Sequence, residues 1–269
     1  MAATPYQCEI LRILAARRKK RGESYVAGGV ALNQLLCAPR QSRDIDLFHD
    51  SQEAVAASWK EDRSLLAASG YAVEIIREAQ SFIEARVSLG GERVIMQWTR
   101  DSAFRFFPLV EDDLMGLALH PFDLATNKVL AMAGRLEPRD WVDVLSCDEV
   151  IQPLGYLVWA ACGKDPGFNP LSLLAEISRA HYSQAELDML DFAGPKPNAV
   201  LLGERWHEIL RTARAICGLL PADEVGKCVI TRERELLRAN TAELGEALAK
   251  GRVGFHQGSI GGSWPEFRN

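Results

Sequence analysis

The 269-residue chain has no Cys-x-x-Cys pair and no histidine at metal-finger spacing from a cysteine, which excludes a zinc-finger or dithiol redox reading. Its six cysteines, Cys8, Cys37, Cys147, Cys162, Cys217 and Cys228, stand singly and read as reduced core thiols. No window approaches the roughly 18 consecutive apolar residues of a membrane helix, and the first thirty residues lack the regions of a signal peptide. A cytoplasmic protein without membrane contact is the expectation. Positive charge is not in excess: 31 Lys and Arg against 36 Asp and Glu give a net charge of -5. That balance argues against non-specific coating of nucleic acid, which needs many cations on phosphates, and leaves room for a local basic patch. Repeats and low-complexity tracts are missing too. What remains is ordinary globular composition, 48% hydrophobic and 25% charged, with length for one large domain or two modest ones.

Apolar spacing predicts a helix over Tyr6 to Lys20 that ends in Arg17-Arg18-Lys19-Lys20-Arg21. Those cations either complement the helix dipole or reach RNA. A short strand, Ser24 to Ala27, runs into Gly28-Gly29 and then an apolar helix from Val30 to Leu36. Asp44 to Phe48 alternates as a half-buried strand does. A helix over Ser51 to Ser69 follows, then strands at Ala72 to Ile76, Phe82 to Leu89 and Arg93 to Trp98, the last two joined by Gly90-Gly91 as a hairpin. From Pro121 the pattern turns helical: Phe122 to Gly134, Pro138 to Leu145, Leu154 to Ala161, Asn169 to Ala180, Ser183 to Phe192, Leu201 to Leu219 and Thr231 to Lys250. The expected division is residues 1–150 as a catalytic domain, 151–250 as a helical domain and 251–269 as a loose tail.

Asp44 and Asp46, at i and i+2 of a strand, leave the same face with backbones roughly 7 Å apart. Two carboxylates so placed can grip magnesium, which phosphoryl or nucleotidyl transfer needs to neutralise a triphosphate. Alone, an Asp-x-Asp strand more often marks solvated surface carboxylates. The Gly28-Gly29 turn upstream adds weight: glycine admits close backbone approach, and the following helix terminus offers N–H groups to phosphate oxygens. Ser42 either points into the same site or caps a turn. Lys128, amid apolar residues on a helix, is costly to bury unless an anion such as a triphosphate meets it, or else snorkels to water. Arg135, two turns on, extends that positive strip. Asp140 and Asp143 share a helical face, where one carboxylate is catalytic or orients Lys128, and dipole-favoured carboxylates at a helix start are the plainer account of Asp140.

Taken together, Gly28-Gly29 before Ala31-Leu32, Ser42-Arg43-Asp44-Ile45-Asp46-Leu47-Phe48, Asp123-Leu124-Ala125-Thr126-Asn127-Lys128, and Arg135 with Arg139-Asp140-Trp141-Val142-Asp143-Val144-Leu145 resemble the AbiEii/AbiGii-type toxin nucleotidyltransferases of the DNA-polymerase-beta-like superfamily. The likeness covers roughly residues 20 to 150. It implies an α+β fold, the minimal nucleotidyltransferase arrangement of a small mixed sheet flanked by helices, with a helical C-terminal domain. By that resemblance Asp44 and Asp46 bind magnesium or manganese, Ser42 and Lys128 hold the nucleotide phosphates, and Asp143 completes the catalytic centre. It also implies an NTP donor, a cognate antitoxin and, in some members, the acceptor end of tRNA. One position departs from the pattern. Where many superfamily members carry a third carboxylate on a later strand, Val94 to Trp98 has Gln97, a weaker magnesium ligand that cannot take a proton. Asp143 or Asp101 then supplies the third acid, or catalysis is weak.

The leading expectation is an enzyme that moves a nucleoside monophosphate from an NTP to an acceptor hydroxyl, on RNA. Its rivals are transfer to a small molecule such as an aminoglycoside, a non-catalytic protein that binds a nucleotide or partner, and a helical scaffold with decorative acidic pairs. An acidic cleft would favour the aminoglycoside and a basic one RNA.

Overall fold

A computed structural model describes residues Ala3 to Pro265. The chain forms two compact units: residues 1–103, 109–120 and 191–193 make the first, and residues 104–108, 121–190 and 194–269 the second. The division falls near Pro121 rather than at residue 150, because the helices that begin there pack with later helices of their own unit.

The first unit opens with α1 (Pro5–Arg21), β1 (Tyr25–Ala27), α2 (Gly28–Leu35), β2 (Arg40–Gln41), β3 (Asp44–His49) and α3 (Gln52–Ala68). It continues with β4 (Ala72–Ala79), β5 (Phe82–Leu89) and β6 (Glu92–Arg100). After β7 (Phe104–Arg105) of the second unit come β8 (Val110–Asp112) and β9 (Gly116–Ala118). Seven of these strands form a sheet in the order β4-β5-β6-β3-β1-β9-β8. It is mixed: β3 runs parallel to β6, and β1 to β9, while the other neighbours are antiparallel. The fold is thus the expected α+β class.

Alternation settles which face is core. Ile45, Leu47, Ala85, Val87, Val94, Met96 and Trp98 are all buried, whereas the residues between them, Asp44, Asp46, Glu84, Arg86, Ile95 and Gln97, are half-buried. The buried face meets α1 and α3. Trp59 of α3 packs edge-on against Trp98 at 4.8 Å, and Tyr6 of α1 donates to the Val87 carbonyl. The chemistry-bearing side chains therefore share the other face.

The basic end of α1 is spent mostly on its own unit. Arg17 pairs with Glu61 and the fully buried Asp62, Arg18 donates to the Met115 carbonyl, Lys19 lies near Glu111 and Asp113, and Arg21 pairs with Glu61. Complementing structure, rather than reaching outward, accounts for these four cations.

The second unit carries α4 (Pro121–Arg135), α5 (Pro138–Val150), α6 (Leu154–Ala161), α7 (Pro170–Ile177) and α8 (Gln184–Asp188). Strand β10 (Asp191–Phe192) belongs to the first unit, where it pairs antiparallel with β2. Then follow α9 (Ala199–Leu219), β11 (Cys228–Thr231), α10 (Thr241–Ala249), β12 (Val253–His256) and β13 (Ser259–Ile260). Three expectations are corrected here. The helix expected over Ser183 to Phe192 stops at Asp188, because Asp191 and Phe192 are drawn into strand pairing with Gln41 and Arg40. The helix expected from Thr231 starts only at Thr241: the β-branched Val229, Ile230 and Thr231 extend as β11, and Arg234 turns the chain at a φ of 70°. The expected loose tail is strand-forming as far as it is described. Strand β12 pairs with β11 and β13 with β7, and His256 bonds the Phe106 carbonyl; residues 266–269 lie outside the described residues. No helix among the described residues is long and apolar enough to cross a membrane.

Candidate active site

Strand register builds the site. Because β1 and β3 pair antiparallel with Ala27 opposite Asp46, the next residue, Gly28, comes against the Asp46 side chain. A Cβ placed on Gly28 would lie 1.9 Å from Asp46 Oδ2, an overlap relieved only by moving the carboxylate, and Gly28 has a φ of 65°, where glycine is at ease. Gly29 is equally close-packed: its Cβ would stand 2.7 Å from both Arg40 Nη2 and Ser42 Oγ. A side chain at either position would therefore displace the Asp46, Arg40 or Ser42 side chain, and at Gly28 the backbone conformation favours glycine as well. Helix α2 starts on this pair with Ala27 as its N-cap and no side-chain cap, so its first N–H groups lie beside Asp46 and Ser42, in the arrangement that suits phosphate oxygens.

Ser42 is set by α1. Gln7 Oε1 accepts from the Thr4 N–H in a capping box at the start of α1, and Gln7 Nε2 donates to the Ser42 carbonyl at 2.7 Å. On the other side Arg43 pairs with Asp191 of β10 at 2.6 Å. Arg40 was not singled out from the sequence. It is 4% exposed, donates to the Gln41 carbonyl and presents Nη2 to Gly29. The signal for it was present as an arginine two residues before Ser42, on the same face of an extended segment.

Asp44 and Asp46 lie on the half-buried face of β3, opposite Ile95 and Gln97 of β6. Gln97 is therefore at the position level with Asp46, and its Nε2 donates to Glu84 Oε1 of β5 at 2.9 Å. Asp101, weighed as a third acid, lies just past β6 and accepts from the Ser102 N–H at 2.8 Å. Among the described residues no group of three or more His, Cys, Asp or Glu side chains gathers as a metal cage. Magnesium does not need one, since it is commonly held by one or two carboxylates with water and substrate phosphates completing the octahedron. A paired carboxylate with a glycine cradle pressed against it fits such an ion. Beside it a cavity of about 530 Å³ opens in the same unit, with Ser42, Asp44, Arg43, Arg86 and Arg93 on its wall.

Lys128, Arg135 and Asp143 lie together in the second unit. Lys128 Nζ is 3.0 Å from Asp140 Oδ1 and 3.0 Å from Asp143 Oδ2, and both carboxylates are fully buried. Arg135 grips Asp140 through Nε at 2.6 Å and Nη2 at 2.9 Å. The anions that a buried lysine requires are thus supplied by the α5 face that carries Asp140 and Asp143. Burial works against ionising Asp140, but the Arg135 and Lys128 cations outweigh it and hold its carboxyl below the usual range.

The mixed sheet, with a glycine turn entering a helix and a paired-carboxylate strand beside it, is similar in fold to a solved nucleotidyltransferase. Among solved structures, the chain is similar to MenT4, a nucleotidyltransferase toxin of Mycobacterium tuberculosis H37Rv, with a TM-score of 0.52 and 16% identity over 81% of this chain and 86% of that one. Also similar are a putative nucleotidyltransferase from H. pylori (TM-score 0.48, 14% identity, 79% of this chain and 94% of that one) and JHP933 from Helicobacter pylori (0.47, 15%, 80% and 94%). No protein-family model and no curated protein sequence matches the chain. The MenT4 likeness shows a shared fold.

Proposed function

We propose that this chain is a metal-dependent nucleotidyltransferase of the AbiEii toxin type, moving a nucleoside monophosphate from an NTP to an acceptor hydroxyl on RNA. The observation that carries the reading is the packing of Gly28 onto Asp46, which places a helix N-terminus, Ser42 and two carboxylates within one small region of the first unit. In this reading the α2 N–H groups and Ser42 hold phosphate oxygens, and Asp44 and Asp46 hold the metal. Magnesium or manganese, when bound, neutralises the triphosphate and lowers the pKa of the attacking hydroxyl. The hydroxyl oxygen bonds to the α-phosphorus as its proton passes to solvent water, the bond from the α-phosphorus to the oxygen bridging to the β-phosphate breaks, and pyrophosphate departs with that oxygen. Lys128 and Arg135 as phosphate ligands and Asp143 as an acid are carried over on their motif alone.

RNA is preferred over an aminoglycoside as acceptor on the family resemblance: the cavity wall beside Asp44 carries Arg43, Arg86 and Arg93 but also Asp44 and Asp191, with Arg43 paired to Asp191 and Arg86 to Glu74, so its charge is mixed and selects neither acceptor by itself. A toxin role with a cognate antitoxin, and a tRNA end as the RNA acted upon, belong to the same proposal. The test is incubation with each labelled NTP, magnesium and total bacterial RNA, with products resolved by size. Incorporation lost in Asp44→Ala supports the reading, whereas incorporation that survives Asp44→Ala overturns it. A second reading, a non-catalytic nucleotide-binding protein, is favoured by Gln97 at the position level with Asp46. Nucleotide binding without transfer to any RNA or aminoglycoside would select it.

A further inference from the structure

Gln97 does not stand alone. It is level with Asp46 on one side and with Glu84 on the other, all three on the half-buried face of the sheet. A carboxylate oxygen only accepts, so Glu84 fixes which end of the amide faces it: Nε2 donates to Glu84 Oε1 at 2.9 Å. Oε1 must then turn away from Glu84 and β5. One amide orientation is selected out of two, with Oε1 on the side away from β5, and the strand next to β6 on its other side is β3, where Asp46 is level with Gln97.

We infer that Gln97 and Glu84 act as one unit in place of a third carboxylate: Gln97 Oε1 is a neutral oxygen ligand for the divalent cation held by Asp44 and Asp46, and Glu84 is the positioning residue that keeps that oxygen turned inward. This rests on the metal-site reading of Asp44 and Asp46. A neutral amide oxygen binds a hard cation more weakly than a carboxylate, so the site holds its metal loosely before substrate phosphates join it. Glu84 lies one strand further out and is not itself a ligand; its direct attraction for the cation, which falls with distance, is kept in Gln97→Ala, so that variant reads the amide oxygen alone.

Titration of the NTP-free protein with Mn2+, read as the free-ion electron paramagnetic resonance signal, separates the possibilities. Wild type binds, Asp44→Ala does not, and Gln97→Ala weakens binding by about tenfold, the loss of one oxygen ligand. Glu84→Gln, which lets the two amides pair either way round, weakens it by about threefold. The swap Gln97→Glu with Glu84→Gln keeps volume and the hydrogen bond while moving the carboxylate inward. It binds Mn2+ about tenfold tighter than wild type. If Asp44→Ala loses Mn2+ while Gln97→Ala and the swap both stay within about twofold of wild type, the Gln97–Glu84 inference is overturned and the metal site stands. If Asp44→Ala binds Mn2+ as wild type does, the metal-site reading itself falls.

Discussion

Gly28 is pressed so closely against Asp46 that a single methyl group on its Cα would lie 1.9 Å from the carboxylate oxygen. Gly28→Ala therefore does two separable things. It forces an L residue to a φ of 65°, at a cost of roughly 1–2 kcal/mol, and it pushes the Asp46 carboxylate aside. The melting temperature is expected to fall by several degrees, while NTP incorporation falls about 10²-fold, as for a reacting group misplaced by about 1 Å. A loss of activity no larger than the loss of folded protein would show that the Asp46 position does not matter.

Arg40 is the next residue whose substitution is informative. Its guanidinium is buried between Gly29 and the segment that carries Ser42, where a planar fork and a compact ammonium are not equivalent. Arg40→Lys keeps the charge and loses the fork. Its KM for NTP is expected to rise about tenfold with a smaller change in kcat, since the phosphate cradle loosens and the carboxylate pair stays in place. Equal KM values in saturation kinetics of the two proteins would remove Arg40 from the cradle.

A pH dependence follows from the buried face of β3. His49 is fully buried, its Nδ1 bonds the Thr99 carbonyl and its Nε2 has no hydrogen-bond partner. Burial pushes its pKa down to about 4, against smaller upward pulls from the Thr99 carbonyl and Asp62 and downward ones from Arg18 and Arg17. The depressed value makes this contribution complete above the unfolded value, about 6.5. It is lost as pH falls from there through about 4, because the unfolded chain takes up a proton that the folded one refuses. The total is roughly 3 kcal/mol. Urea unfolding midpoints should therefore decline between pH 6.5 and 4, and His49→Leu should flatten that decline.

The first unit was largely legible in the chain because its signals are local. Alternation over Asp44 to Phe48 gave β3, and the Gly90-Gly91 turn gave the hairpin of β5 and β6. That turn carried more than was taken from it. A two-residue loop at 90 and 91 makes 89 face 92, and the same register continued inward sets Glu84 against Gln97, so the partner of the missing acid could be found by counting. Other features rest on distant segments. The return of Asp191 and Phe192 to β2 joins positions about 150 residues apart, and the pressing of Gly28 on Asp46 depends on the offset between β1 and β3. In the second unit the helical signal of Thr231 to Lys250 was overridden by the pairing of β11 with β12. Strand propensity of four residues yields to, or is realised by, whichever partner strand the fold supplies.

Lys128 offers a way to separate structural from chemical need. It meets Asp140 and Asp143, each at 3.0 Å and fully buried, and Asp140 is also held by Arg135. Lys128→Met leaves the two carboxylates short of a cation, and unfolding in urea should show a loss of roughly 3–5 kcal/mol. Adding Asp143→Asn removes one of the two charges that Lys128 meets, while Arg135 still serves Asp140, and should restore at least about 2 kcal/mol through coupling. The low Asp140 pKa makes its share of stability complete above the unfolded value, near 4, and lost as pH falls through the lower folded value; near-neutral pH keeps that titration out of the comparison. If Lys128 also touches substrate phosphate, the double variant is folded but binds NTP more weakly than Asp143→Asn alone, a comparison in which the loss of Asp143 cancels, and this is the expected result. Equal NTP binding by the two folded variants would make the lysine an internal counter-ion and remove it from the phosphate site.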